Sequence, residues 1–302
     1  MSPGPLDRLG PWRVALALLL GLAVPLLAAS GQAQSGPRQA APAAAERPLV
    51  RVGVVPALTV TETIQQYQPI LDYLNQRLAA EARLQPQKDY ATVLEKMREG
   101  ELEAGVVGSF IGWRAIREIG AIPLARPDRD GVSTYEGFVF VRKDSGIRDI
   151  SGLRGKTFAY VDRDTSAGYV YPRLLLRQKG YDPDRFFEEA RFTGKHDAAV
   201  LMVLNRMADG GAAKDDVYLR LERQNPRVRD ELVVLHRSDA RFPDRTLLVR
   251  KGFDPALAQE IRRALVAMHQ GEAGRRALAA AGFSRYLATE AEDFRALDRM
   301  LR

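Results

Sequence analysis

The chain contains no cysteine, and this absence excludes several classes of protein. Disulfide-stapled folds and thiolate metal sites both require that residue. A bacterial lipoprotein carries its lipid on a cysteine at the cleavage site, so we expect no lipid anchor. Histidine is scarce as well, with three in the chain, and no spacing of histidines and carboxylates matches a metal site. We therefore expect no bound metal.

Long blocks of like charge are missing too. The net charge is +7, but the basic residues alternate with acidic ones, as in RLERQNPRVRDE at 220–231. Nucleic-acid binding usually requires basic residues clustered on one face, so we expect no nucleic-acid partner. A weak positive field still favours small anions as ligands.

Catalytic motifs are also lacking. The sequence has no Walker loop and no dinucleotide-binding glycine pattern, so we expect no cofactor. Ser166, His196 and Asp209 could in principle form a hydrolytic triad, whose order along a chain is free to vary. However, DTSAG around Ser166 is not the G-x-S-x-G elbow that exposes a nucleophilic serine. We expect no catalytic residues and no enzymatic activity, with a hydrolase as the less favoured alternative.

The start of the sequence has the pattern of a secretion signal. Arg8 and Arg13 precede the apolar run Val14–Ala29, and small residues follow it. This order predicts a signal peptide at 1–33 that exports the chain to the periplasm, because the run is shorter than the roughly 20 residues of a membrane span. A retained N-terminal anchor is the alternative. Residues 34–48 are rich in Ala, Pro and Gln without periodicity and predict a disordered leader.

From residue 49 onward, strand and helix patterns alternate. Apolar runs predict strands at 49–56, 82–87, 102–108, 121–127, 133–145, 156–161, 188–194, 231–238 and 245–252. Spacings of three and four predict helices between them, and the first apolar stripe consists of Ile64, Tyr67, Leu71, Leu74 and Leu78. The alternation indicates an α/β fold with mainly parallel sheets. The simplest arrangement has two lobes joined by two extended runs, with a ligand between them. Lobe 1 comprises 49–137 and 243–302, and lobe 2 comprises 138–242.

The most informative stretch is DTSAGYVYP at 164–172, between a strand and a helix. Pro172 cannot donate a hydrogen bond, so it belongs to the first turn, and the helix should begin near Gly168. This leaves the amides of Ser166, Ala167 and Gly168 without helical partners, and the hydroxyls of Thr165 and Ser166 add two donors. Such a helix start binds anions without a cationic side chain. An ordinary helix cap at Ser166 is the alternative.

Four motifs in order resemble the periplasmic binding proteins for phosphonate, phosphite and phosphate of ABC importers. They are VGVVP with YQPILDYL, YEGFVFVRKDSGIRDISGLRGKTFAYVD, DTSAGYVYP, and GKHDAAVLMVLNRMADGGA, and the likeness runs from about residue 49 to 251. The resemblance implies the type II periplasmic binding protein fold, in which two α/β lobes close on an oxyanion. It also implies an ABC permease in the inner membrane as partner, and we expect a monomer.

The resemblance suggests roles for particular residues. The loop Thr165–Gly168 is similar to the family's Ser-Thr-Ser-Gly loop, except that Ala167 lacks the hydroxyl of the second serine. His196 matches a histidine that donates to the oxyanion, and its imidazole would make binding sensitive to pH near neutrality. Asp209 matches an acidic residue beside the site, which would accept a hydrogen bond from a protonated ligand oxygen.

Two further departures lie in GSFIGWRA at 108–115. Ser109 stands where the family has proline, and Gly112 where it has a tyrosine that contacts the ligand. Trp113 follows and could wall the site and donate through its indole nitrogen, and Tyr135 is a candidate on the first connecting run. The predicted ligand-binding residues are Thr165, Ser166, Ala167, Gly168, His196, Asp209, Trp113 and Tyr135.

The sequence thus predicts a periplasmic solute-binding protein of an ABC importer, for a phosphonate, phosphite or phosphate type of oxyanion. Two alternatives keep the same two-lobed clamp. One is a ligand-binding sensor subunit for a membrane receptor kinase, and the other is a binding protein for a different small anion.

Overall fold

Residues 47–55 and 59–301 are described by the structure, a computed structural model. The predicted signal peptide and nearly all of the predicted leader lie outside the described residues, as does the predicted end of the first strand at Pro56. The strands are β1 (Leu49–Val54), β2 (Glu81–Pro86), β3 (Ala104–Val107), β4 (Ile122–Asp128), β5 (Thr134–Tyr135), β6 (Gly137–Arg142), β7 (Thr157–Tyr160), β8 (Glu189–Phe192), β9 (Gly210–Lys214), β10 (Leu232–Arg237), β11 (Phe242–Pro243), β12 (Thr246–Val249) and β13 (Arg285–Ala288). The α-helices are α1 (Val60–Asn75), α2 (Tyr90–Glu99), α3 (Ser109–Ile119), α4 (Tyr171–Gln178), α5 (His196–Leu204), α6 (Asp215–Gln224), α7 (Pro226–Glu231), α8 (Pro255–Ala267), α9 (Glu272–Ala281) and α10 (Arg295–Leu301).

The first sheet has six strands in the order β13-β4-β12-β3-β1-β2. β1 pairs in parallel with β2 and β3, whereas β12 runs antiparallel to both β3 and β4, and β13 antiparallel to β4. The prediction of a mainly parallel sheet is therefore corrected to a mixed sheet, because β12 returns from the other lobe and inserts between two parallel strands. Helices pack on both faces of this sheet through separate apolar cores.

The second sheet has five strands in the order β10-β6-β9-β7-β8. β7 is parallel to β8 and β9, and β6 is antiparallel to β9 and β10. Alternate residues of β6 point to opposite faces, so that Phe138 and Phe140 lie in one core and Val139 and Val141 in another. This sheet too is covered on both faces, as expected for an α/β lobe.

Two short strands connect the lobes. The chain leaves the first sheet after β4, passes through β5 into β6 of the second sheet, and returns from β10 through β11 to β12. β5 and β11 pair antiparallel, with Tyr135 opposite Phe242. The arrangement of two α/β lobes joined by two connecting strands agrees with the prediction, and the exact lobe limits at 137/138 and 242/243 stay a prediction.

The first helix follows its predicted stripe with two exceptions. Tyr67, Leu71 and Leu74 are buried on one face of α1. Ile64 is 38% exposed, and Leu78 is buried but lies beyond the end of the helix. None of the helices among the described residues has both the length and the apolar character that crossing a membrane requires.

Small residues bring β9 close to its neighbours. The first four residues of this strand, GGAA, are buried. A Cβ atom on Gly210 would lie 2.7 Å from Leu153 Cδ2, and one on Gly211 would lie 3.0 Å from Val203 Cγ2. The strand is therefore packed tightly on both faces, and Lys214 is the residue at which it reaches the edge of the sheet.

Candidate functional site

The loop at 164–172 forms a helix start as predicted, and the helix begins at Ser166, two residues before Gly168. Its first turn, Ser166–Val170, is π-helical and runs directly into α4. The Val170 amide donates to the Thr165 carbonyl at 3.0 Å, one residue further back than in an α-helix. In the described part of the chain, no acceptor takes a hydrogen bond from the amides of Ser166, Ala167 and Gly168. These are the three amides that the sequence predicts to be unpaired.

Gly168 allows this loop to lie close against the strand before it. The Gly168 carbonyl accepts the Val161 amide at 3.2 Å, and a Cβ on Gly168 would lie 2.5 Å from Val161 Cβ and 2.8 Å from Thr165 Oγ1. Thr165 donates its own hydroxyl to the Asp162 carbonyl at 2.6 Å. The Thr165 hydroxyl therefore holds the shape of the loop, and the donor predicted for a ligand is already used.

Three hydroxyl groups meet at the start of this helix. Ser166 Oγ lies 3.0 Å from Ser109 Oγ, and Ser109 also hydrogen-bonds the hydroxyl of Tyr135. Ser109 begins α3 in lobe 1, Tyr135 lies on the connecting strand β5, and Ser166 belongs to lobe 2, so the cluster joins all three parts. The exposed fractions are 1% for Ser109, 2% for Ser166 and 3% for Tyr135. Burial raises the pKa of Tyr135, which therefore stays protonated and able to donate.

A cluster of charges lies beside these hydroxyls. Lys214 Nζ lies 3.9 Å from the centre of the Tyr135 ring and 3.0 Å from Asp244 Oδ1. The other Asp244 oxygen accepts from Arg129 Nη1 at 2.7 Å. Burial alone would raise the pKa of Asp244, but Lys214 and Arg129 hold that pKa well below its usual value. Burial alone would likewise lower the pKa of Lys214, but the Asp244 carboxylate raises it. All three groups are therefore charged, and one carboxylate is shared by two cations.

Arg245 adds a further positive charge that has no carboxylate partner among the described residues. Its Nη1 donates to the Tyr67 hydroxyl at 3.4 Å, and this is the one hydrogen bond that its guanidinium makes within the described chain. The neighbouring Tyr67 and, less strongly, Tyr90 and the Asp244 carboxylate raise the pKa of Arg245 despite burial, so the charge is retained. A partly buried cation with a single long hydrogen bond is unfavourable unless an anion compensates it.

His196 begins α5, as predicted, and lies beside the lysine. Its Nδ1 accepts a hydrogen bond from the Lys214 amide at 3.2 Å. A neutral imidazole has one donor and one acceptor nitrogen, so Nε2 carries the proton, and it meets no acceptor in the described chain. Burial lowers the pKa of His196 to about 3, and the charges of Lys214 and Arg245 act in the same direction. The prediction of a histidine that titrates near neutrality is therefore corrected, because His196 is a neutral donor throughout that range.

Trp113 and Ala167 belong to an apolar cluster that packs next to the loop. The indole Nε1 of Trp113 donates to Asp298 Oδ1 at 2.8 Å, and its ring packs against an apolar cluster that contains Ala167 and Phe294. A Cβ atom on Gly112 would lie 2.8 Å from Phe294 Cε1. The C-terminal segment thus occupies the space beside α3 that a larger side chain at position 112 would need. The indole N–H of Trp113, which the sequence predicts to donate to a ligand, donates to Asp298 instead.

The structure does not bring Asp209 to the other candidates. Its carboxylate accepts the Thr157 amide at 2.9 Å, and its own amide donates to the Thr157 carbonyl at 2.9 Å. Thr157 begins β7, whereas Ser166 follows the carboxyl end of that strand and Lys214 is the carboxyl end of β9. Asp209 therefore lies exposed at the opposite edge of the second sheet, where it holds the starts of two strands together.

Several residues of the cluster were not singled out as ligand-binding from the sequence: Ser109, Arg129, Lys214, Asp244 and Arg245. The sequence nevertheless contains an indication of their role, because each is a polar residue at the edge of a sheet where the carboxyl ends of parallel strands meet. Lys214 follows the buried run GGAA, and Asp244 and Arg245 precede the buried run of β12. Ligands of open α/β sheets lie at that edge.

The chain matches a known protein family over most of its length. The family model of the phosphonate ABC transporter periplasmic substrate-binding protein matches residues 52–294. The chain belongs to this family. Members of this phosphonate-binding family are substrate-binding components of transporters, and the match covers both lobes and every residue of the cluster.

Individual relatives are distant. The phosphate-import protein PhnD of Mycolicibacterium smegmatis is 23% identical over 179 residues, which is 55% of this chain and 55% of that protein. The tetrathionate sensor histidine kinase TtrS of Salmonella typhimurium is 26% identical over 230 residues, which is 71% of this chain and 38% of that protein. The chain therefore spans little more than half of the first relative and a smaller part of the second.

Solved structures show the fold. The structure of PhnD1 from Prochlorococcus marinus in complex with methylphosphonate is similar to this chain, with a TM-score of 0.70 at 18% identity. The match covers 84% of this chain and 97% of the PhnD1 chain. The two α/β lobes and their two connecting strands thus form the type II periplasmic binding protein fold, as predicted.

Proposed function

We propose that this chain is the periplasmic solute-binding protein of an ABC importer and that its ligand is a phosphonate, phosphite or phosphate type of oxyanion. Membership of the phosphonate-binding family supports the importer role. The ligand lies between the lobes in this proposal, and the loaded protein delivers it to an inner-membrane permease. Export through the signal peptide at 1–33 and action as a monomer belong to the same proposal.

The observation that carries the proposal is a series of contacts, from Ser166 through Ser109 and Tyr135 to Lys214 and His196, beside which both lobes have unpaired donors. Lobe 2 contributes the amides of Ser166–Gly168 and the Nε2 proton of His196, and lobe 1 contributes the Arg245 guanidinium. A tetrahedral oxyanion presents acceptors in several directions, so it suits donors that approach from two sides.

The arrangement of the same residues argues against hydrolysis. Ser166 Oγ contacts Ser109 Oγ, and the His196 nitrogen that a triad aspartate would orient accepts from the Lys214 amide instead. Asp209 is bonded to Thr157 at the far edge of the sheet. A hydrolytic triad needs a carboxylate on the histidine and a serine beside it, so we propose binding without chemistry.

A sensor role is the second candidate, and the likeness to the tetrathionate sensor histidine kinase favours it. Both roles use the same two-lobed binding protein, so only the identity of its membrane partner distinguishes a transporter subunit from a sensor. Stimulation of a reconstituted importer ATPase by the loaded chain would support import. Activation of a receptor kinase without any effect on such an ATPase would support the sensor.

The ligand class is tested by calorimetry and thermal unfolding of the exported chain with phosphate, phosphite, methylphosphonate, sulfate and acetate. We expect at least one phosphorus oxyanion to bind and to raise the melting temperature. At a ligand concentration 100-fold above Kd, the added stability should be about 2.7 kcal/mol. A chain that responds to none of the phosphorus oxyanions would contradict the proposal.

A further inference from the structure

Three cations and one carboxylate make up the charges of the cluster. Lys214 and Arg129 share Asp244 at 3.0 Å and 2.7 Å, and Arg245 has no carboxylate partner in the described chain. Three positive charges and one negative charge leave an excess of two positive charges, to which the neutral His196 adds nothing. We propose that this excess makes the site selective for a doubly ionised oxyanion that carries no ammonium group. The inference rests on the proposed function and narrows its class of ligand.

Other carboxylates near the cluster accept backbone amides or pair with Arg114, and after the Asp244 carboxylate and Tyr135 the charge of the exposed Asp216 also raises the pKa of Lys214. Asp215 and Asp216, which follow Lys214 in the chain, each accept the amide of the next residue at 2.8 Å at the start of α6. Asp164, in the loop before Ser166, pairs with Arg114 of α3 at 3.4 Å. An ammonium group beside Lys214 and Arg245 would therefore meet two positive charges, whereas the carboxylates of Asp164, Asp215 and Asp216 already accept other donors.

The size of the expected discrimination follows from these charges. A ligand ammonium placed beside Lys214 and Arg245 meets like charges in a partly desolvated site, which should weaken binding by about tenfold or more. A singly charged anion leaves one of the two excess charges uncompensated and loses a charge-assisted hydrogen bond, which should also cost about tenfold or more. A doubly ionised anion without an amine avoids both penalties.

The test compares three ligands of similar length by titration calorimetry on the full exported chain. The ligands are ethylphosphonate, 2-aminoethylphosphonate, which differs from it by one ammonium group, and propionate, which carries a single charge. At a mildly alkaline pH the phosphonates are largely doubly ionised and the amine is still protonated. We expect ethylphosphonate to bind at least about tenfold more tightly than either of the others.

Variants at Arg245 assign the effect to its charge. Arg245→Gln should weaken ethylphosphonate binding by about 30-fold. It should weaken 2-aminoethylphosphonate binding by less, because the change also removes a repulsion of the ligand's ammonium group. The affinities for the two ligands should therefore differ by no more than about threefold in this variant. Arg245→Lys should keep most of the ratio. Arg250→Gln, at the other end of β12, is the matched control and should behave as the wild type. Circular dichroism and thermal unfolding check that each variant is folded.

The outcomes separate this inference from the proposed function. If 2-aminoethylphosphonate binds the wild type as tightly as ethylphosphonate, the inference is wrong and the proposed function stands. If no phosphorus compound binds, both are wrong. If the ratio stays unchanged in folded Arg245→Gln, the assignment to Arg245 is wrong. The wild-type comparison decides the selectivity even if Arg245→Gln does not fold.

Discussion

The hydroxyl oxygens of Ser109 and Ser166 lie 3.0 Å apart, although 57 residues separate them and each begins a helix in a different lobe. Tyr135, on the connecting strand β5, bonds the same Ser109. The contact lies where the unpaired amides of the loop begin. This hydrogen bond joins the two lobes beside the loop that we propose to bind the anion.

The first prediction concerns Ser166. Ser166→Ala removes a hydroxyl that both bridges the lobes and borders the proposed anion, so the affinity for the phosphorus oxyanion that binds the wild type should fall by about tenfold. Titration calorimetry measures this change.

Ser238→Ala is the control for this measurement. Ser238 is another buried serine, and its Oγ accepts the Gly137 amide at 2.9 Å and donates to the Ala240 carbonyl at 2.7 Å. This variant should lower the melting temperature without changing affinity by more than about twofold. Equal affinity in Ser166→Ala and the wild type would remove Ser166 from the site.

The second prediction separates Asp209 from the ligand. Asp209→Asn keeps an oxygen that can accept the Thr157 amide but removes the charge, at the edge of the sheet opposite Ser166 and Lys214. Affinity should stay within about twofold of the wild type, and the free energy of unfolding should fall by at most about 1 kcal/mol. A large loss of affinity in a variant of unchanged stability would show that Asp209 contacts the ligand after all.

The parts of the fold that sequence patterns predict well are those set by neighbouring residues. The strand before the loop follows from the apolar run 156–161, and the helix start and the unpaired amides of Ser166, Ala167 and Gly168 follow from the nine residues 164–172. Pro172 fixes the first turn to within two residues, but these residues do not predict its π-helical geometry or the close approach of Gly168 to Val161.

The parts that local patterns do not predict depend on pairing between distant segments. Asp244 reaches Lys214 across 30 residues, and Trp113 reaches Asp298 across 185. Asp209 is five residues from Lys214 in sequence but at the other end of the same strand, so its place depends on the direction in which β9 runs. Charge partners of this kind are fixed by the order of the strands, which a single sequence leaves open.

The third prediction concerns Gly168. Gly168→Ala places a Cβ atom 2.5 Å from Val161 Cβ, closer than packed atoms approach, so the loop must move. The free energy of unfolding should fall by about 1–3 kcal/mol, as measured by urea unfolding, and ligand affinity should fall with it. Gly271→Ala is the matched control, because no atom lies within 4 Å of its added Cβ and its φ of −105° suits any residue. Equal stability of the two variants would contradict the close approach.

The fourth prediction concerns pH and His196. The pKa of His196 is about 3 in the folded chain and about 6.5 in an unfolded chain. Between these values the unfolded state binds a proton that the folded state does not, so stability falls as pH decreases from 6.5 and is fully retained above it. Between pH 7.5 and pH 5 this single group should remove about 2 kcal/mol.

Urea unfolding of the wild type and His196→Gln over this pH range measures the effect. Carboxylates that lose ion pairs in acid are common to both proteins and cancel in the difference. The wild type should therefore lose about 2 kcal/mol more than His196→Gln on acidification, while the exposed His269→Gln should follow the wild type. Parallel curves for the wild type and His196→Gln would mean that His196 takes up its proton in the folded chain over the same pH range as in the unfolded chain. Once protonated, Nδ1 could not accept the Lys214 amide, so the orientation assigned to the imidazole would be wrong.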